Sequence, residues 1–117
     1  MFKRNWKLFL EDILECIEKV ERYIEEKKFE IFRSDSKTID AVIRNLEIIG
    51  EAARNIPEDV KEENSSIPWQ DIIDFRNRIT HGYFDISLEI VWYIIKKELP
   101  DLKQKVRKML EGDNISK

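Results

Sequence analysis

The sequence predicts an all-α fold, an antiparallel helical bundle of four main helices with the last kinked or split at Pro100. Three observations carry that expectation. Apolar residues recur at three- and four-residue steps along most of the chain, the period of one helix face. Only three glycines and three prolines interrupt the 117 residues, which leaves room for short connections alone. No segment alternates apolar and polar residues as a half-buried strand does. A chain of 117 residues suffices for one core and is too short for two ordinary ones. Residues 1–117 are therefore expected to form a single domain, with 112–117 as a frayed tail.

The first helix is expected from about Asn5 to Lys28, on a stripe that includes Trp6, Phe9, Ile13, Ile17, Val20 and Ile24. Cys16 falls in that stripe and reads as a small buried hydrophobe. The second helix should start after the cap cluster Ser34-Asp35-Ser36 and run to about Asn55. Its stripe, Ile39, Val42, Leu46, Ile49 and Ala53, includes Gly50. Glycine inside a helix costs ~1 kcal/mol relative to alanine, so close approach of a neighbouring helix is the expected reason for it. Arg44, Glu47 and Glu51 lie on an adjoining face, as solvated or paired charges. Pro57 to Pro68 is the longest connection, with room for one short turn over 58–61. The third helix should run from Trp69 to His81, with Gly82 as a left-handed cap. The fourth starts near Ser87 and continues to about Glu111, and Pro100 must disturb it because proline removes one intrahelical hydrogen bond.

The third helix carries the chemistry. Its core stripe is Trp69, Ile72, Ile73, Arg76 and Ile79, so periodicity sets a guanidinium where an apolar side chain belongs. An unpaired buried charge is costly. Arg76 must therefore pair with a carboxylate, Glu51 or Glu47, or face a groove or a subunit interface. Asp74 and Arg78, four apart, read as an ordinary exposed pair. His81 is the only histidine in the chain and follows Arg76 by five positions. Histidine can both accept and donate a proton near neutral pH, and arginine presents a planar fork of donors to a phosphate. Five residues on an ideal helix are about 140° and roughly 7.5 Å apart, a gap a long arginine can close at a helix end. Asn77 shares a face with His81.

The remaining composition narrows the classes. A net charge of −3 counts against tight, non-specific nucleic-acid binding without excluding brief contact through a local patch. No apolar run approaches the ~18–20 residues that span a bilayer. The first residues lack a signal-peptide pattern, and one cysteine permits no intrachain disulfide, so a cytoplasmic protein is expected. One histidine and one cysteine on different helices give no metal-ligand spacing, and no cofactor is expected. The basic run Lys96, Lys97, Lys103, Lys105, Arg107 and Lys108 reads first as a solvated face and second as an RNA-steering surface.

The segment Asp74-Phe75-Arg76-Asn77-Arg78-Ile79-Thr80-His81-Gly82-Tyr83 resembles the Arg-x-x-x-x-His-x-Tyr signature of HepT-like proteins in the HEPN superfamily. The resemblance extends over Asp40 to Ala53, which looks like the family's second helix, and over Val91 to Pro100, which looks like its fourth. It implies an all-α homodimer in which the Arg/His motifs of two subunits share a cleft. It implies a metal-independent endoribonuclease, the toxin of a toxin–antitoxin pair, with RNA as substrate and tRNA or mRNA both open as the target. The implied partner is a small nucleotidyltransferase antitoxin that attaches AMP to the motif tyrosine, here Tyr83. Arg76 and His81 match the motif's catalytic pair; from the residues themselves, Asn77 is expected to position the phosphate or orient His81, and Glu51 to support the site as a partner of Arg76. The chemistry agrees: cleavage without metal needs a base, an acid and a cation for the phosphorane, and a two-fold dimer supplies two histidines where one chain has one. The alternative is a non-catalytic HEPN dimer module that binds nucleotide or holds a nucleotidyltransferase. A bundle with no site would have Arg76 fully paired within one subunit and His81 outside any cleft.

Overall fold

A computed structural model describes residues 5–82 and 86–115 of the chain. Helix α1 spans Trp6–Tyr23, with the Asn5 side chain accepting from the Lys7 amide at its start. Helix α3 spans Ser36–Arg54 behind the expected cap. Asp35 accepts from both the amide and the hydroxyl of Thr38, which holds its carboxyl below the usual range. Helix α5 spans Trp69–Gly82. The fourth arm is composite: α6 over Leu88–Tyr93, a π-helical turn over Ile94–Glu98, and α7 over Leu99–Ile115. Two short helices, α2 over Phe29–Arg33 and α4 over Glu58–Glu63, fill the connections. No strand occurs among the described residues. The all-α antiparallel bundle therefore stands, with α1 against α3 and α7, and α5 against α3.

Four departures from the sequence expectations have physical reasons. Helix α1 ends at Tyr23, short of Lys28, and the chain turns through Glu26 at φ 61°. That turn seats α2, whose Phe32 is wholly buried, with Trp92 5.1 Å from its ring and 5.9 Å from that of Phe29. Packing of two phenylalanines overrides the local tendency to continue the helix. Over the Pro57–Pro68 connection, the single turn expected at 58–61 is the longer α4, and the Trp69 indole donates to the Asn64 carbonyl at 3.1 Å beyond it. Gly82 has positive φ, but at 144° it lies away from the left-handed helical value of about +57°. The last helix continues past the expected end at about Glu111 to Ile115.

Pro100 disturbs the fourth arm as expected, by rewinding it. The Leu99 amide bonds back to the Ile94 carbonyl, a wider turn just ahead of the residue that has no N–H to give. Cys16 is buried, and burial pushes its thiol up to about 11, so it stays protonated and packs as a small hydrophobe. Much of the basic run on the fourth arm is engaged within the protein. Lys103 pairs with Glu21 at 2.8 Å and Arg107 with Glu18 at 3.6 Å, tying α7 to α1. Lys105 pairs with Asp101 and donates to the Ser66 carbonyl, and Lys96 sits over the Trp92 ring. A paired and solvated face, the first of the two readings, fits this better than a free basic track.

Candidate active site

Helix α5 packs on α3 at the one position where α3 has no side chain. A Cβ built at Gly50 would lie 2.8 Å from Arg76 Cγ and 3.2 Å from the Ile72 carbonyl oxygen. The close approach expected from the glycine is thus made by the arginine stem itself. Trp69 and Ile79 are buried on either side of it, and Ile72 and Ile73 are half-buried. Arg76 occupies the core stripe of α5 as its periodicity requires, and its side chain is 21% exposed.

The charged head is held on two sides. Nη2 donates to Glu51 Oε1 at 2.8 Å, and Nη1 donates to Asn77 Oδ1 at 2.9 Å. Nε is buried and has no hydrogen-bond partner among the described residues. A guanidinium has five N–H donors, so this arrangement leaves one further hydrogen on each terminal nitrogen. Those two hydrogens have no protein partner among the described residues. Glu51 is the carboxylate foreseen for Arg76, and it also lies 3.8 Å from Arg54. Glu47, the other candidate, pairs instead with Arg44 at 3.1 Å and lies 3.4 Å from the Thr80 hydroxyl. That hydroxyl has one proton and a nearer acceptor, the Arg76 carbonyl at 3.0 Å, so the link to Glu47 is weak.

Asn77 faces Arg76, and His81 is exposed on the last turn of α5. A groove of about 280 Å³ is lined by Phe9, Asp12, Arg44, Glu47, Glu51 and Arg76. His81 does not line it. A larger groove of about 700 Å³ meets a different face of α5, at Ile72 and Phe75, and includes neither Arg76 nor His81. Neither of these two grooves holds both motif residues, although they share a helix. Asp74 accepts from Gln70 at 2.9 Å, and no ion pair joins it to Arg78 among the described residues. Tyr83 lies outside the described residues. Among those described, no group of three or more His, Cys, Asp or Glu could hold a metal ion. No helix of the described residues is long and apolar enough to cross a membrane.

The Thr80 bond to the Arg76 carbonyl is the local back-bond that helical threonines make, and it lies in the final turn before His81.

The described residues form an all-helical bundle with a glycine-seated arginine and an exposed histidine five residues on. The family described as Ribonuclease HepT-like matches residues 13–109, and the chain is a member of it. A relative from Thermococcus cleftensis named "Probable ribonuclease HepT" is 45% identical over 107 residues, covering 92% of this chain and 97% of the relative. A protein of Methanocaldococcus jannaschii named as a candidate RNase is 38% identical over 117 residues, covering 97% of each chain. Another from that organism, whose name joins gamma-glutamylcyclotransferase to a candidate RNase, is 37% identical over 109 residues, and this chain spans 49% of its length. No solved structure matches the chain.

Proposed function

We propose that this chain is a metal-independent endoribonuclease acting as the toxin of a toxin–antitoxin pair, and that its active site is completed in a homodimer. The observation that carries the reading is the state of Arg76, a guanidinium seated in the helix interface with one free hydrogen on each terminal nitrogen, on the same helix as an exposed His81.

In the proposed reaction a histidine takes the proton of a ribose 2′-hydroxyl while the 2′-oxygen attacks the adjacent phosphorus. The bond from phosphorus to the 5′-oxygen breaks, and an imidazolium gives that oxygen its proton. The products are a 2′,3′-cyclic phosphate and a 5′-hydroxyl. Arg76 stabilises the charge that develops on the phosphorane. His81 is the proton carrier, and the second histidine comes from the partner subunit. Asn77 fixes the Arg76 fork, a supporting role consistent with their 2.9 Å bond. Purified protein incubated with RNA in EDTA should cleave it at an undiminished rate and leave cyclic-phosphate ends. Loss of cleavage in EDTA, restored by a divalent cation, would overturn the metal-independent reading.

The proposed off-switch is a nucleotidyltransferase antitoxin that adds AMP to Tyr83, two residues after His81. A bulky anion there would neutralise Arg76 and crowd the histidine. Incubation with the antitoxin and ATP should add AMP to the wild-type chain and silence it, and Tyr83→Phe should stay active. A Tyr83→Phe protein that is still adenylylated and silenced places the switch elsewhere.

A further inference from the structure

Adjacent residues of α3 divide the work of holding Arg76. Gly50 admits the aliphatic stem, since a methyl group there would collide with Cγ. Glu51, the next residue, grips the head at 2.8 Å. The stem and the head of Arg76 thus meet adjacent residues of α3. Arg76 Nε is buried, which closes that edge of the guanidinium to a phosphate. The hydrogens that remain point where the Glu51 and Asn77 bonds send them.

Resting on the ribonuclease reading above, we propose that Glu51 is a positioning residue, whose hydrogen bond to Nη2 sets the direction in which Arg76 presents its free donors to the scissile phosphate. The carboxylate is half exposed, and exposed pairs contribute little to stability. Its contribution is therefore orientation. It also has an electrostatic cost, because its negative charge lies beside the anion that Arg76 must attract. Orientation and charge can be separated. Glutamine keeps an oxygen acceptor for Nη2 and removes the charge, and alanine removes both.

The test compares Glu51→Gln, Glu51→Ala and wild type in full-length protein on one RNA. Misplacing a positioned group by about 1 Å can cost on the order of 10²-fold, so Glu51→Ala should lower kcat by about 10- to 100-fold with KM changed by less than about 3-fold. Glu51→Gln should recover most of that kcat and lower KM, because the competing charge is gone. A purely structural role would move stability without separating kcat from KM. Three results overturn the proposal: Glu51→Ala at or above the wild-type kcat, Glu51→Gln falling as far as Glu51→Ala, or loss of kcat only in proportion to loss of folded protein. A second reading does not depend on cleavage. Arginine side-chain nitrogen resonances, with Arg76 assigned by its loss in Arg76→Lys, should show restricted Nη2 rotation in wild type and faster Nη2 rotation in Glu51→Ala, with Nη1 still held by Asn77. An unchanged Arg76 signal in Glu51→Ala overturns the proposal. Wild-type protein that cleaves no RNA defeats the ribonuclease reading, while the resonances still decide whether Glu51 holds the arginine.

Discussion

Replacing His81 by alanine is expected to lower RNA cleavage by about 10³-fold or more while leaving a folded dimer, since general acid–base catalysis contributes roughly 10²- to 10⁴-fold and here one residue type serves both steps. Folding should survive because the side chain is exposed, and exposed substitutions usually move stability by no more than ~0.5 kcal/mol. That makes His81 a cleaner probe than Arg76, whose removal would also empty the seat at Gly50 and leave Glu51 without its partner. The measurement is initial rate on a defined RNA, beside circular dichroism and the oligomeric state of both proteins. Full activity in His81→Ala would remove the histidine from the mechanism, and with it the argument for a second subunit. Mixing His81→Ala with wild-type subunits is informative too, because a site that needs a histidine from each subunit should stay inactive in the mixed dimer.

Gly50→Ala is expected to destabilise the fold and disable the site together. On propensity alone the change should stabilise α3 by ~1 kcal/mol. Against that stands overpacking, which costs about 1–3 kcal/mol where neighbours cannot yield. The neighbours here are the Arg76 stem close to its own backbone and the Ile72 carbonyl, neither of which is the free end of a flexible side chain. Overpacking should win, for a net loss of about 1 kcal/mol and a fall in kcat of about 10-fold as Arg76 is pushed from its seat. Urea unfolding midpoints and cleavage rates measure the two effects on one preparation. A Gly50→Ala protein as stable and as active as wild type would mean that α3 and α5 have slack between them.

The parts of the fold that were legible in the sequence are those set by local pattern. The stripes of α1, α3 and α5 appear as written, because a helix buries whatever recurs every three or four residues. Asp35 and Ser87 cap the helices they precede, since their short side chains reach the first free amides without help from elsewhere. Helix α2 was not legible: it has five residues, too few to show a period, and Phe32 finds its burial against Trp92 of a distant segment. The end of α1 is illegible for the same reason, as nothing local opposes its continuation past Tyr23.

The sequence by itself determined that Arg76 is out of place in a core stripe and that Gly50 is out of place in a helix. It could not pair the two anomalies, which are 26 positions apart. Only the packing of α5 on α3 made them one feature, the glycine clearing the space that the arginine stem crosses. Likewise, sequence offered Glu47 and Glu51 equally as partners, one helical turn apart, and tertiary structure chose Glu51. The physical reason is that periodicity fixes the direction of a side chain around its own helix, whereas which neighbour it meets depends on how two helices are set against each other. Shape and charge across that interface are properties of neither helix alone.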